Sequence, residues 1–151
     1  MKPESILVVD DQLAKYEALQ QFASSFYSAA AVTWIKNYRQ AQSNLLSFRH
    51  DLLILDMSFE VHGASSEDMS LDGLAGIHVL QFMWRSRIRT PTVICTSHLA
   101  YSDPNFGQIE GIGGLRSYMR SYFSDTVLGC IWMGADVAAW QGELKEIVDH
   151  A

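Results

Sequence analysis

Five short apolar runs recur along the chain, separated by amphipathic stretches. They cover residues 6–9, 31–35, 52–55, 92–95 and 127–132. Each is about 4–6 residues long and rich in Val, Ile and Leu, which is typical of a β-strand. Because their apolar positions are continuous rather than alternating, we expect both faces of each strand to be buried, as in a parallel sheet covered by helices.

The stretches between these runs carry apolar residues at helical spacing. Helices are predicted over residues 13–26, 40–48, 76–84, 115–123 and 136–148. In the first of them, Leu13, Tyr16, Leu19 and Ala23 are expected to share the buried face. Repeated β-α units joined by right-handed crossovers predict an α/β fold, a three-layer sandwich formed by residues 1–151 as one domain.

Composition narrows the classes of partner. The net charge of −6 argues against broad binding to nucleic acid or to a membrane surface, since both need a basic footprint. No signal peptide and no run long enough for a membrane-spanning helix is recognised, so a cytoplasmic protein is expected. Cys95 and Cys130 lie in apolar runs and are expected to be buried thiols, with a disulfide between neighbouring strands as the alternative.

Carboxylates follow two of the predicted strands at their carboxyl ends. Asp10 and Asp11 follow the first strand, Asp56 follows the third, and Thr96 ends the fourth. Ligands gather at the carboxyl ends of strands in an open α/β sheet, so these side chains should converge. Three neighbouring carboxylates repel one another unless a cation joins them, and oxygen ligands of this kind suit Mg²⁺. The alternative is that the paired aspartates cap the helix that follows, which applies best to Asp11.

Three segments resemble the signature segments of two-component response-regulator receiver domains. They are ILVVDD at residues 6–11, DLLILD at residues 51–56 and PTVICTS at residues 91–97. GIHVL at residues 76–80 is similar to the glycine-led start of that family's third helix. The resemblance covers most of the chain up to about residue 97 and continues less clearly beyond it. It implies a flavodoxin-like (βα)5 fold, a three-layer sandwich whose parallel sheet has the order 2-1-3-4-5.

The resemblance also implies roles for individual residues. Asp56 would be the phosphoacceptor, and Thr96 would hydrogen-bond the phosphoryl group. Asp11, Asp56 and the backbone carbonyl of Ser58 would bind Mg²⁺, with Asp10 acting through a metal-bound water. Such a domain phosphorylates itself and is not a turnover enzyme. An aspartate-nucleophile phosphatase is disfavoured because that class carries a second aspartate where this chain has Ser58.

One expected cation is missing. Receiver domains carry a lysine at the end of the fifth strand, but no lysine lies between Lys36 and Lys145. Arg116 or Arg120 could supply the charge instead. Trp132 could act as the aromatic switch residue of the family, but we expect it to be part of the core.

The stretches 60–75 and 99–123 are longer than is usual for the family. Apart from the helix predicted at residues 115–123, they are expected to be loops beside the phosphorylation site, which either cover it or carry a partner surface, or else are tolerated insertions. His98 is a candidate for the site because it lies two residues after Thr96. His62 and His78 are not assigned a role.

The resemblance implies partners as well. A sensor histidine kinase or phosphorelay protein would donate the phosphoryl group, and a downstream protein or a second copy of the chain would respond. The chain would be a stand-alone receiver or the first domain of a longer protein. The alternative is a pseudo-receiver, a protein-interaction module that works without phosphorylation. The receiver hypothesis requires the three aspartates to lie side by side, with Asp56 open to solvent.

Overall fold

The computed structural model describes residues 1–59, 75–98, 100–103 and 107–151. Its strands are β1 (Ser5–Val9), β2 (Ala31–Ile35), β3 (Leu52–Leu55), β4 (Thr92–Thr96), β5 (Ala100–Asp103), β6 (Gly107–Glu110) and β7 (Val127–Trp132). Its helices are α1 (Leu13–Phe26), α2 (Tyr38–Ser47), α3 (Ala75–Arg85), α4 (Gly111–Tyr122) and α5 (Val137–Asp149). The five predicted apolar runs are β1, β2, β3, β4 and β7.

The main sheet is parallel, with the strand order β2-β1-β3-β4-β7. The predicted order 2-1-3-4-5 is therefore confirmed, and β7 takes the fifth place. Val9 pairs with both Ile35 and Leu55, and Thr96 pairs with Trp132. The strands thus end nearly level, so the residues that follow them meet at one edge. This edge, formed by Asp10, Asp11, Asp56, Thr96 and Met133, is called the carboxyl rim.

Helices cover both faces of the sheet, as the continuous apolar runs predicted. α1 and α5 pack on one face around Phe22, Trp140 and Leu144. The other face is covered by α2, α3 and α4, with Leu45, Leu80 and Met119 among the buried residues. The α/β sandwich of three layers is therefore confirmed.

The connection between β4 and β7 was predicted only in part. Residues 100–103 and 107–110 pair as the antiparallel strands β5 and β6, where a loop was expected. α4 begins at Gly111, earlier than the predicted residue 115, and Gly111 has a φ of 68°, in the left-handed region that favours glycine. Of the predicted loop at residues 60–75, only Ala75 lies within the described residues, where it begins α3.

The two cysteines lie on opposite faces of the sheet. Cys95 belongs to the cluster under α1 and α5, whereas Cys130 belongs to the cluster on the other face, and both are buried free thiols. The disulfide alternative is thereby excluded, because side chains on opposite faces of one sheet diverge. In the part of the chain that the structure describes, no helix is long and apolar enough to cross a membrane.

Candidate functional site

Backbone hydrogen bonds fix the chain where the aspartates leave the sheet. The N–H of Asp10 donates to the carbonyl of Ile35, and the N–H of Asp56 donates to the carbonyl of Val9, each at 3.0 Å. The indole N–H of Trp34 donates to the carbonyl of Asp10 at 2.7 Å. These bonds extend the strand pairing by one residue, so they hold Asp10 and Asp56 side by side.

The structure brings the three predicted aspartates together. Carboxylate oxygens of Asp10, Asp11 and Asp56 lie within 4.8 Å of one another. Asp10 and Asp56 are 1% and 2% exposed, whereas Asp11 is exposed. The N-cap position of α1 is occupied by Gln12 rather than by an aspartate. Asp10 Oδ1 instead accepts the N–H of Gln12 at 2.9 Å and so stabilises the turn that precedes the helix.

A lysine from α1 lies among these carboxylates. The ammonium of Lys15 is 2.7 Å from Asp10 Oδ2 and 3.2 Å from Asp56 Oδ2. It also donates to the backbone carbonyl of Cys95 at 3.3 Å. Lys15 is only 8% exposed. The site therefore contains a buried cation that was not predicted from the sequence.

Lys15 was missed because the buried face of α1 was assigned from apolar residues. The predicted face included Leu13, but Leu13 is 55% exposed, so that prediction was wrong. The inward positions of the helix include Lys15, Leu19, Phe22 and Ala23, at spacings of four, seven and eight residues from Lys15. A lysine in line with this apolar stripe, one turn after the aspartates, was the signal that could have revealed it.

Charge and burial oppose each other in this cluster. Burial raises the pKa of Asp56, since it disfavours the charged form; the Lys15 ammonium opposes this rise but does not cancel it. Burial alone would lower the pKa of Lys15, but the charges of Asp56 and Asp10 more than offset it, and the net pKa is raised. Lys15 is therefore protonated at neutral pH.

The donor set fits a hard divalent cation. Asp10, Asp11 and Asp56 offer only oxygen atoms, and Asp11 faces solvent, as Mg²⁺ requires to keep several waters. Asp56 Oδ1 accepts the N–H of Met57 at 2.8 Å, and Asp56 Oδ2 is bound by Lys15. Each carboxylate oxygen can accept a second partner, so these contacts leave room for coordination.

Asp56 is not open to solvent as the receiver hypothesis required. Its exposed fraction of 2% means that a phosphoryl donor reaches it only when neighbouring groups move. Lys15 is one such group, since its ammonium contacts Asp56 directly. The expectation of an accessible carboxylate was wrong: Asp56 is buried, in contact with the Lys15 ammonium and the N–H of Met57.

Thr96 and Ser58 are the two other predicted site residues, and they follow or end the strands that lead to the carboxyl rim. Thr96 is fully buried at the end of β4, where its Oγ1 accepts the N–H of His98 at 3.1 Å and contacts the carbonyl of His98 at 3.3 Å. This hydroxyl is thus tied to the segment that leaves β4. Ser58 is half-buried two residues after Asp56.

The end of β7 supplies no cation, and α4 does not replace it. Arg116 donates to the carbonyl of Cys130 at 3.2 Å and contacts Glu143 at 3.6 Å, so it lies along the edge strand rather than at the carboxyl rim. Arg120 is exposed on α4. Trp132 is 47% exposed, so its predicted place in the core was wrong: the strand ends there, and its ring lies over Gly134 instead.

The three histidines considered in the sequence analysis lie in different places. The side chain of His98 is exposed after β4, while its backbone makes the Thr96 bonds. His78 lies on α3 in edge-on contact with Tyr38, with ring centroids 6.4 Å apart. His62 lies outside the described residues.

Gly76 allows α3 to pack directly against the backbone of the site. Its N–H donates to the carbonyl of Met57 at 3.0 Å. A Cβ at this position would lie 2.5 Å from the carbonyl oxygen of Asp56 and 3.0 Å from the Cα of Met57. Only glycine fits here, which explains the glycine at the start of α3.

Several solved structures share this architecture. A CheY-like receiver domain from Methanospirillum hungatei is 13% identical, with a TM-score of 0.63 over 97% of this chain and 94% of that one. The phosphorylated cyanobacterial phytochrome response regulator RcpA is 15% identical, with a TM-score of 0.61 over 97% and 91%. The response regulator TrrA from Thermotoga maritima, in complex with Mg²⁺-BeF, is 18% identical, with a TM-score of 0.58 over 95% and 98%.

No protein-family model matches the sequence, and the comparison with curated proteins found no match either. The structural similarity covers nearly the whole of each chain. At such low identity it shows the fold and not the activity. The chain therefore has the fold of response-regulator receiver domains, as the three sequence segments indicated.

Proposed function

We propose that the protein is a phosphoacceptor that takes a phosphoryl group onto Asp56 in a Mg²⁺-dependent reaction and signals through altered protein contacts. The observation that carries the proposal is the position of the three aspartates, whose oxygens lie within 4.8 Å at the carboxyl rim. A receiver fold with this cluster at the end of β1 and β3 is the arrangement that such a reaction needs. RcpA has been seen phosphorylated and TrrA with Mg²⁺-BeF, which supports the same chemistry here.

The proposed reaction is a phosphoryl transfer to a carboxylate. A carboxylate oxygen of Asp56 forms the new bond to phosphorus, and the bond from phosphorus to the donor's leaving atom breaks. With an acyl-phosphate donor, the electron pair of that bond leaves on the donor's carboxylate, so no proton needs to be moved. In the cell, a sensor histidine kinase or phosphorelay protein is the proposed donor.

Residues of this chain would hold the metal and orient the phosphoryl group. Asp11, Asp56 and the carbonyl of Ser58 are the proposed Mg²⁺ ligands, with Asp10 acting through a water. When bound, the ion neutralises charge on the transferring group. Thr96 is proposed to donate its hydroxyl to a phosphoryl oxygen. Since its present partner is the backbone of His98, that change would alter the segment after β4.

The experiment compares two aspartates of the same chain segment. The purified protein is incubated with Mg²⁺ and acetyl phosphate, and its intact mass is recorded at intervals. We expect wild type to gain the mass of one phosphoryl group and Asp56→Asn to gain none. Asp51→Asn is the matched control: Asp51 precedes β3 at the opposite end of the strand, so its loss should leave the adduct unchanged.

The same experiment distinguishes the proposed function from the pseudo-receiver alternative. An adduct that requires both Mg²⁺ and Asp56 excludes a module that works without phosphorylation. If wild type gains no mass and binds no Mg²⁺ in a calorimetric titration, the proposal fails and the interaction module becomes the better description. The buried state of Asp56 favours slow rather than absent modification.

A further inference from the structure

We propose that Lys15 performs the task of the missing strand-end lysine, so that the phosphoryl-binding cation of this protein comes from α1 rather than from β7. The inference rests on the proposed function and deepens it by assigning the group that contacts the phosphoryl oxygens. The juxtaposition that carries it is the Lys15 ammonium 3.2 Å from the Asp56 carboxylate, beside a β7 end that has no lysine.

The ammonium is placed by three acceptors from three parts of the chain. Its contacts are Asp10 after β1, Asp56 after β3 and the carbonyl of Cys95 in β4. An ammonium has three N–H donors, and these acceptors match that number. Lys15 is therefore held at the carboxyl rim, at the point where a phosphoryl group on Asp56 would begin.

The burial of the Lys15 ammonium has an energetic cost that its contacts must offset. Lysine is almost never fully buried unless it is paired, because removing its charge from water costs roughly several kcal/mol. Lys15 is 8% exposed and yet lies on the inward stripe of α1 with Leu19 and Phe22. The contacts with Asp10 and Asp56 are what offset that cost, so the position of Lys15 depends on its charge and on these two carboxylates.

The geometry of the lysine side chain suits a change of partner. An ammonium is a point charge on a flexible four-carbon stem, so it can turn from the Asp56 carboxylate to a phosphoryl oxygen while its backbone stays in place. Phosphorylation adds negative charge at Asp56, which strengthens the attraction. Asp10, 2.7 Å from the ammonium, keeps it at the rim throughout.

Met133 lies at the end of the fifth strand of the sheet, where receiver domains carry the lysine. It is the first residue after β7, and its N–H donates to the carbonyl of Thr96 at 2.8 Å. Its half-buried side chain packs on the face of the sheet that α1 covers, the same face from which Lys15 enters. A lysine at position 133 would thus approach the carboxyl rim from the neighbouring strand end.

The test distinguishes two roles for Lys15: binding the phosphoryl group, or blocking the metal site from within. Lys15→Met is compared with wild type for the rate of adduct formation with acetyl phosphate and, by calorimetry, for Mg²⁺ affinity. We expect adduct formation to slow about 10²-fold, the loss typical of removing one preorganised charge partner, and Mg²⁺ affinity to stay equal or increase. The control is Lys2→Met, since Lys2 is exposed before β1, at the end of the sheet opposite the carboxyl rim, and its loss should leave the rate unchanged.

A second variant tests the position of the charge independently of its removal. In Lys15→Met/Met133→Lys the cation returns to the end of β7, and we expect much of the lost rate to be recovered. This double variant also restores a cation to the carboxylate cluster, so it stays informative if Lys15→Met alone folds poorly. A double variant that folds, as judged by its thermal transition, but is no faster than Lys15→Met would overturn the inference.

The outcomes distinguish this inference from the proposed function. If wild type forms no adduct and Lys15→Met forms none, both fail. An adduct on wild type whose rate is unchanged in Lys15→Met overturns the role of Lys15 alone. If Lys15→Met gains both an adduct and Mg²⁺ binding that wild type lacks, Lys15 is an internal blocker of the metal site and the inference is overturned.

Discussion

The two ends of the same sheet bury polar side chains in opposite ways. At the amino end of β1 and β3, His50 is buried between neutral partners, Ser5 Oγ at 2.9 Å and Asn44 Oδ1 at 2.6 Å. At the carboxyl rim, Lys15 and Asp56 are buried as charged groups. We call the first edge, formed by Ser5, Asn44, His50 and Asp51, the amino rim.

The difference supports placing the proposed site at the carboxyl rim. At the amino rim, Asp51 is exposed and accepts the backbone N–H groups of Glu4 and Ser5 at 2.8 and 3.1 Å, so it fastens the chain. At the carboxyl rim, the buried carboxylates of Asp10 and Asp56 share the buried ammonium of Lys15, beside the exposed Asp11. A carboxylate whose pKa is raised by burial and which also has a specific charge partner, as Asp56 has in Lys15, is a candidate for a functional site.

The largest expected effect on stability comes from removing the buried cation. Without Mg²⁺, Lys15→Met should lose about 3 kcal/mol of unfolding free energy, because it leaves buried carboxylates without their partner. Urea unfolding at neutral pH measures the loss. Arg89→Met is the control at the other end of the sheet: Arg89 and Asp125 form an exposed pair at 3.5 Å, worth about 0.5 kcal/mol or less. Equal losses in the two variants would contradict the comparison.

A somewhat smaller loss is expected from a methyl group beside the site. Gly76→Ala should lose about 2 kcal/mol, because its Cβ would lie 2.5 Å from the backbone oxygen of Asp56. The matched control is Gly142→Ala in α5, where no atom lies within 4 Å of the added Cβ. That variant should gain about 0.5 kcal/mol, since alanine is the better helix former. Thermal unfolding of both variants tests the prediction, which fails if Gly76→Ala is as stable as Gly142→Ala.

The smallest expected effect is a pH dependence at the amino rim. Burial lowers the pKa of His50, and the charge of Asp51 only partly opposes this. Because the folded state holds the neutral ring, His50 contributes stability above its ordinary pKa of about 6.5 and loses it as pH falls through the lowered folded pKa. His50→Gln should therefore reduce the loss of stability that occurs as pH falls from about 6.5 to the lowered pKa of the folded state. Urea unfolding at a series of pH values measures this loss. An unchanged pH profile would show that His50 titrates alike in both states.

The sequence predicted the sheet and its acidic edge because both follow from local pattern. Continuous apolar runs define the buried strands, and Asp10 and Asp56 follow them directly. Lys15 could not be placed in this way, since a lysine on an amphipathic helix is normally assigned to the solvent face. Only its alignment with Leu19 and Ala23 indicated otherwise, and only the packing of α1 on the sheet shows that its stem reaches the aspartates.

Two further predictions from the sequence, for β5 and β6 and for Trp132, were wrong for physical reasons. β5 and β6 were taken for part of a loop because each has only four residues and because Pro104 and Asn105 stand between them in the sequence. Trp132 was assigned to the core from its size, but it is the last residue of an edge strand. Hydrophobicity alone does not separate the end of an edge strand from its centre.

The position of the covalent label tests the central claim most directly. Wild type is treated with acetyl phosphate and Mg²⁺, reduced with borohydride, which converts an aspartyl phosphate into homoserine, and then digested and sequenced by mass spectrometry. The account predicts homoserine at position 56, only when Mg²⁺ is present. Homoserine at another aspartate, or at none in a sample that binds Mg²⁺, would contradict it.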